Sequence, residues 1–456
     1  MPARGEQPRH LLRTTGAVAI VVGIVVGAGI FKTPAMVAGI TQDHGWLIAV
    51  WLAGALVSLA GALCYAELCA AYPHAGGDYH FLSRAWGKRF AFLYAWSKAM
   101  VINTGSIALL AYVFGDYMSR VVDLGAHSSA LWAVAIIIAL TAANILGLSF
   151  AARLQTAMVL LLVGGLAAVV VAGFAAPAAE LTSRPSPAWF ASTPPAGMLG
   201  LAMVFVLLTF GGWNEAAYLS AEMHGGARAV APVLMISLSL ITALYLLANL
   251  ALLHGLGLSR LAASKAAGAE VLGLHFGAWG ERLLGVLVGL GALTSIHSTM
   301  IVGARGNYAL GRDWAPLRRL GRWSAGRGAP VNAYVVQAAI SLALVVFGTF
   351  QADGFAAMVE FTAPVFWAFL FMVGMAVFRL RRRQPGIERP FRVPLYPLTP
   401  IVFCAACAWL AWSSVAYAAS QAAVHVSLLL MLAGLVVLGG LLLHRRLVGQ
   451  RTSGSP

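Results

Sequence analysis

Charge is what this sequence has least of. Only 10% of its 456 residues are Asp, Glu, Lys or Arg, against about 25% in an ordinary soluble domain. Some 60% are hydrophobic, and the mean hydropathy is +0.84. A chain this poor in charge cannot cover a soluble globule, so soluble classes are excluded. Acidic residues are scarcest, 15 against 30 basic ones, for a net charge of +15. The basic excess falls in short connections between apolar runs and forms no continuous face, so no nucleic-acid partner is expected. Cysteine is limited to Cys64, Cys69, Cys404 and Cys407, all inside apolar runs. No disulfide framework is expected, and Cys404 with Cys407, one helical turn apart, reads as small core filling. No apolar run holds His, Asp and Glu at metal-ligand or acid–base spacing, so neither a metal, a cofactor nor a membrane-embedded enzyme is expected. The first run also lacks a cleavage site of small residues after a short core, and reads as a retained span.

What is present is a series of twelve apolar runs of membrane-crossing length: 14–38, 46–71, 90–122, 129–146, 154–175, 199–223, 232–256, 277–304, 331–350, 355–378, 400–420 and 424–443. With the N-terminus in the cytoplasm, 23 of the Lys and Arg residues lie in inner connections, five in outer ones, and Lys32 and Lys98 in the membrane. That bias predicts cytoplasmic termini in a plasma membrane. The expected fold is an all-α polytopic membrane protein forming one domain, 1–456. Its first ten spans divide into two five-span units, 14–175 and 199–378, each opening on a broken span; this points to an inverted repeat with two further helices over 400–443. The outer loop 259–275 is expected to carry a short helix.

The breaks are glycine-rich. Residues 23–31 read GIVVGAGIF in the first run, and residues 210–222 read FGGWNEAAYLSAE in the sixth. An unsatisfied backbone group in a bilayer costs several kcal/mol, so a helix opens at depth only where something binds the freed groups. Gly27, Ala28 and Gly29 permit a bend, and the helix resuming at Ile30 presents free amides and a positive dipole end to a carboxylate. The preceding half-helix ends near Ile24 in unpaired carbonyls, suited to an ammonium. An amino acid carries both charges. The competing reading is that the same small residues only pack helices together. In the sixth run Gly211 and Gly212 allow the interruption; Trp213 can wall a side-chain pocket or fill core, and Asn214 can bond ligand or helix.

Intramembrane charges cost roughly 2.5–3.5 kcal/mol each at mid-helix. Lys98 and Glu215 are the natural pair to neutralise one another. Glu67 and Glu222 read as holding inner helix ends, and Lys32, Asp116 and Glu360 as reaching toward an outer surface. Thr294, Ser295, Ser298 and Thr299 offer hydroxyls for a sodium site, against the commoner case in which such hydroxyls bond their own helix. His297 beside them reads as core.

GAGIF at 27–31, YAEL at 65–68, PHAGGDYHFL at 73–82, FGGWN at 210–214 and RPFRVPLYPLTP at 389–400 together resemble the amino acid–polyamine–organocation superfamily, and within it the bacterial relatives of the L-type amino acid transporters. The resemblance implies a LeuT-type fold of twelve helices with substrate at the unwound parts of the first and sixth. It assigns Gly27, Ala28, Gly29 and Ile30 to the substrate carboxylate, the Ile24 and Phe210 carbonyls to its amine, and Gly211, Trp213 and Asn214 to the side-chain pocket, with Asn103 and Thr104 nearby. Leu208 stands at the family's gating phenylalanine, and Leu162 where many relatives carry a lysine. The outer-loop cysteine that ties animal relatives to a heavy-chain glycoprotein has no counterpart, so no such partner is expected. The reading is a secondary active transporter or exchanger of neutral, medium or large amino acids, coupled to protons, to sodium or to exchange. A cationic amino acid or polyamine carrier using Glu215 is the same-class alternative, and a non-transporting amino acid sensor the different-class one.

Overall fold

The computed structural model describes residues 14–453 except 28, 75, 120, 147, 178–188, 220–228, 265, 325, 326, 328, 352, 353 and 419–421. Among the described residues it is helical, with no strand beyond one isolated bridge between Ser324 and Ala329. The helices are α1 (Thr14–Val25), α2 (Gly29–Thr41), α3 (His44–Ala71), α4 (Gly77–Trp86), α5 (Lys88–Ser97), α6 (Asn103–Ser119), α7 (Ser128–Leu146), α8 (Leu148–Ala175), α9 (Ala196–Thr209), α10 (Ala216–Leu219), α11 (Val230–Ala263), α12 (Ala267–Phe276), α13 (Ala278–Asp313), α14 (Val331–Gly348), α15 (Gly354–Arg383), α16 (Leu398–Ala418) and α17 (Ala422–Ser453).

Eleven described helical stretches are long and apolar enough to cross a membrane. The first expected span is absent from that set because it is two pieces, α1 of 12 residues and α2 of 13. Neither half spans a bilayer of about 30 Å alone. The sixth expected span is α9, a 3-10 turn over Trp213–Glu215, and α10. The third is continuous over Lys88–Ser119 but carries a π-helical segment at Lys98–Ile102, where the Asn103 amide reaches back to the Lys98 carbonyl. Such a bulge re-aims the side chains around it. In α11 Gly257, at φ 71°, kinks the helix just past the expected end of the seventh span. The expected helix of the 259–275 loop is found as the end of α11 followed by α12.

Two polar anchors hold the ends of the bundle. At one end Asp43 caps α3 by accepting from the Trp46 amide at 3.0 Å, and it also accepts from the Phe190 and Ala191 amides at 3.1 and 2.9 Å. One carboxylate thus satisfies a helix N-terminus and ties down a distant connection. At the other end Glu67 of α3, buried, accepts from Arg381 Nε at 2.7 Å and from the Val393 amide at 2.7 Å, with Arg389 Nε at 3.5 Å. Arg389 in turn donates to the carbonyls of Leu380, Gln384 and Ile387, closing the last turn of α15. The Arg381 guanidinium lies 3.8 Å from the Tyr396 ring centroid. Two separated sequence motifs, YAEL and RPFRVPLYPLTP, therefore meet in one clasp.

Glu67→Ala leaves two arginines facing a sealed site with no counter-charge, a change that costs about 3 kcal/mol or more. The detergent-solubilised protein is expected to lose several degrees of thermal stability, and a denaturation midpoint equal to wild type would show the clasp to be idle.

Candidate functional site

The two interruptions face each other. Gly212 adopts φ 106°, a conformation that favours glycine, and a β-carbon there would stand 2.7 Å from Ile24 Cγ2 and 3.4 Å from the Ile24 carbonyl oxygen. Close approach of the two backbones thus depends on the missing side chain. Gly27 is similarly crowded: its β-carbon would meet Ser295 Oγ of α13 at 2.5 Å. On the α2 side, Thr209 donates to the Phe205 carbonyl at 2.9 Å, so its oxygen accepts from Thr33 at 2.7 Å, joining α2 to α9. Gly29 lies against the same threonine. The described part of the site thus brings Ile24, Gly27, Gly29, Phe210, Gly211 and Gly212 together; Ala28 lies outside the described residues.

The freed carbonyls are met by a residue that the sequence did not single out. Tyr245 of α11, fully buried, points its hydroxyl at the Val25 carbonyl at 3.0 Å and the Thr209 carbonyl at 3.2 Å. These are the last residues of α1 and α9. One hydroxyl proton serves both, so the half-helix ends are only partly satisfied. The Tyr245 ring is fixed by Trp51 and Phe210, with centroids 5.6 and 5.1 Å away. Its only sequence signal is a polar-tipped aromatic inside an apolar run.

Other expected site residues sit differently. The Trp213 ring lies between Tyr65 of α3 and Phe403 of α16, with centroids at 5.2 and 6.1 Å, and so wedges the turn after Gly212 against neighbouring helices. Asn103 lies beside Gly303 and Gln337, and the Thr104 carbonyl accepts from Ser341 at 3.3 Å, so both face α13 and α14. Thr294 donates to the Leu290 carbonyl at 2.7 Å and Ser298 to the Thr294 carbonyl at 2.9 Å, each within α13. Ser298 also accepts from Gln155 at 2.7 Å, and Gln155 bonds His297 Nδ1 at 2.9 Å. Of the expected cation ligands, Ser295 is the one turned to the first break. Leu208 is half-buried one residue before Thr209, and Ile30 is buried in the first turn of α2.

Below the second break, Lys98 Nζ stands 3.1 and 3.2 Å from the two oxygens of Glu215. They line a small chamber of about 10 Å³, room for roughly one water, with Asp78, Tyr65, Tyr94 and Asn214 and an apolar wall from α15. Asp78 begins α4, in the connection between two spans, and its Oδ2 accepts from Tyr94 at 2.6 Å. Asp78 belongs to the PHAGGDYHFL motif, in a connection between expected spans where nothing in the sequence marks it for a role.

A family model, amino acid permease, matches residues 12–438 of the chain. The chain is 26% identical over 388 residues to the b(0,+)-type amino acid transporter 1 of Mus musculus, covering 83% of this chain and 77% of that one. It is 26% identical over 428 residues to the serine/threonine exchanger SteT of Bacillus subtilis, covering 93% and 95%. To the Asc-type amino acid transporter 1 of Mus musculus it is 27% identical over 400 residues, covering 83% and 72%.

Tyr245→Phe keeps the ring and strips both half-helix ends of their donor, a loss of about 1–3 kcal/mol. Its amino acid affinity, read as the ligand-induced rise in melting temperature, is expected to change by tenfold or so, and an unaltered ligand response would remove Tyr245 from the site. Lys98→Ala and Glu215→Ala each strand one buried charge, whereas the double variant strands neither partner. Melting temperatures should show the double variant less destabilised than either single one, and simple additivity would argue that the two charges act independently.

Proposed function

This chain belongs to the amino acid permease family and carries amino acids across a membrane, and from that premise we propose that its cargo is neutral L-amino acids of medium or large size. The observation carrying the proposal is the pair of facing breaks. The Ile24 and Phe210 carbonyls are the acceptors for the amine, and the amides opening α2, from Gly27 to Ile30 with Ala28 between, are the donors for the carboxylate. Gly211 and Asn214 border the side-chain pocket, Trp213 holds the turn behind it, and Leu208 gates it. Asn103 and Thr104, packed toward α13 and α14, contribute at the edge of the site. Neutral cargo is supported by the state of Glu215, the acid nearest the second break: both its oxygens are taken by Lys98. A cationic amino acid or polyamine would have to displace that ammonium.

The protein works by alternating access. Its architecture is twelve spans in a LeuT-type inverted repeat, α1 to α8 against α9 to α15, with α16 and α17 added. The charge bias of the connections supports cytoplasmic termini in a plasma membrane, and the missing outer-loop cysteine supports a carrier that needs no heavy-chain glycoprotein.

Counterflow into proteoliposomes preloaded with unlabelled amino acid tests the cargo. Labelled leucine is expected to enter and to be competed by methionine, phenylalanine or threonine. Competition by arginine or putrescine in their place would transfer the assignment to a cationic carrier that uses Glu215.

A further inference from the structure

The chamber beneath the second break carries one negative charge too many. Asp78 and Glu215 both line it, and Lys98 is the one cation among its lining residues. Glu215 takes the ammonium with both oxygens. Asp78 is left with the Tyr94 hydroxyl on Oδ2, while Oδ1 is sealed from solvent and has no hydrogen-bond partner among the described residues. The residue is only 2% exposed. An ionised carboxylate so placed costs several kcal/mol unless a proton or a cation neutralises it. The chamber's volume of about 10 Å³ leaves no room for a hydrated ion.

We propose that Asp78 binds one exchangeable proton per transport cycle, and that the choice of partner made by Lys98 loads and unloads it. This deepens the transporter reading and rests on it. Lys98 lies on the continuous helix Lys88–Ser119, whereas Glu215 lies on the 3-10 turn after Gly212 that leads into α10. With Glu215 seated, Lys98 is occupied and Asp78 is neutral only as –COOH. When α10 swings, Glu215 withdraws to water and Lys98 turns to Asp78, whose O–H bond breaks and whose proton leaves to solvent as the ion pair forms. Return of Glu215 reverses both changes, with a proton taken from the opposite side.

The other groups around Asp78 leave this exchange intact. Tyr65 from α3, Tyr94 from α5 and Asn214 from the turn are neutral hydrogen-bonding groups, and α15 contributes Phe366, Phe369, Leu370 and Val373. Cys69 of α3 faces Asp78 as a buried thiol. Glu67 is held by Arg381 and Arg389. On α4 itself Tyr79 donates to Asp313 at 2.7 Å, and His80 accepts from Arg84 at 3.2 Å while stacking on His74. Burial drives the Asp78 carboxyl above the usual carboxylate range, against the opposing pull of Lys98 and of the Tyr94 hydroxyl.

Proteoliposomes with the membrane potential clamped separate this proposal from the transport reading. Counterflow at equal pH needs no net proton movement and reads transport alone; an acid exterior reads coupling. Wild type is expected to concentrate a neutral amino acid, up to about tenfold per pH unit for one proton. Asp78→Asn should still exchange at equal pH but no longer concentrate. Intact counterflow with no response to a pH gradient, accumulation driven by sodium instead, or undiminished concentration by Asp78→Asn would each overturn the proposal while leaving the transporter standing. Absence of counterflow for every amino acid would overturn both. Should Asp78→Asn fail to fold, Tyr94→Phe removes a donor to the ionised carboxylate. The pH midpoint of gradient-driven uptake should then move alkaline by about half a unit to one unit, and an unmoved midpoint counts against Asp78.

Discussion

Everything in this molecule is arranged around helix ends that open inside a membrane. Two helices stop at Val25 and Thr209 and resume shortly after, leaving carbonyls and amides with no intrahelical partner where no bulk water can serve them. A soluble protein would hydrate such ends. Here the two breaks are laid against each other, with Gly212 close to Ile24, so that each partly shields the other. A single tyrosine hydroxyl then spans one carbonyl from each. That arrangement is deliberately incomplete in a chemical sense: one proton cannot saturate two carbonyls, and the amides that open α2 receive nothing from Tyr245. The remaining capacity matches the two ends of a zwitterion. On the proposed reading, binding energy would come from backbone groups that every amino acid can use, with selectivity left to the side chains around them.

The buried charges divide into two kinds with different consequences. Glu67 is bound by two arginines and a backbone amide, and it connects α3 to the segment following α15. Every group there is held by an element that is itself anchored, so the site is a fastening. Glu215 differs in its footing: it sits in the 3-10 turn that follows the left-handed Gly212, where the helix is interrupted. Its partner Lys98 starts a π-helical segment in a long continuous helix. This pair therefore joins a long continuous helix to an interrupted one.

Much of this was legible beforehand, for physical reasons that also mark the limit. Hydropathy periods and the placement of Lys and Arg expose the spans because the bilayer penalises exceptions strongly. The breaks were legible because glycine clusters at depth have few other uses. Lys98 with Glu215 was legible because a lone intramembrane charge is costly. Tyr245 was not, since an isolated tyrosine in an apolar run looks like any core aromatic until its hydroxyl is placed beside two carbonyls. Trp213 followed FGGWN into the expected pocket, yet its ring lies between Tyr65 and Phe403, a direction set by the Gly212 turn and by the small residue Gly61 opposite. Nor can periodicity show a π-bulge, which shifts the facing of the residues around Lys98 without leaving a mark in composition.

Asp78 marks the same boundary from the other side. Sequence places it in a connection between spans, where an acid is ordinarily hydrated, and only tertiary structure carries α4 inward far enough to bury it beside Lys98. Its burial is imposed by neighbours: Phe81 and Leu82 of the same short helix are fully buried, so the helix is drawn against the bundle by its apolar face. The carboxylate comes with it. A fold that needed only to cap α4 would leave the acid facing water, as hydration costs nothing there. Placing it in a sealed chamber with a lysine already claimed by another carboxylate creates a charge imbalance that the surrounding apolar wall from α15 cannot relieve. Such an imbalance is destabilising for an ionised carboxylate, and a proton on Asp78 relieves it with Glu215 still in place.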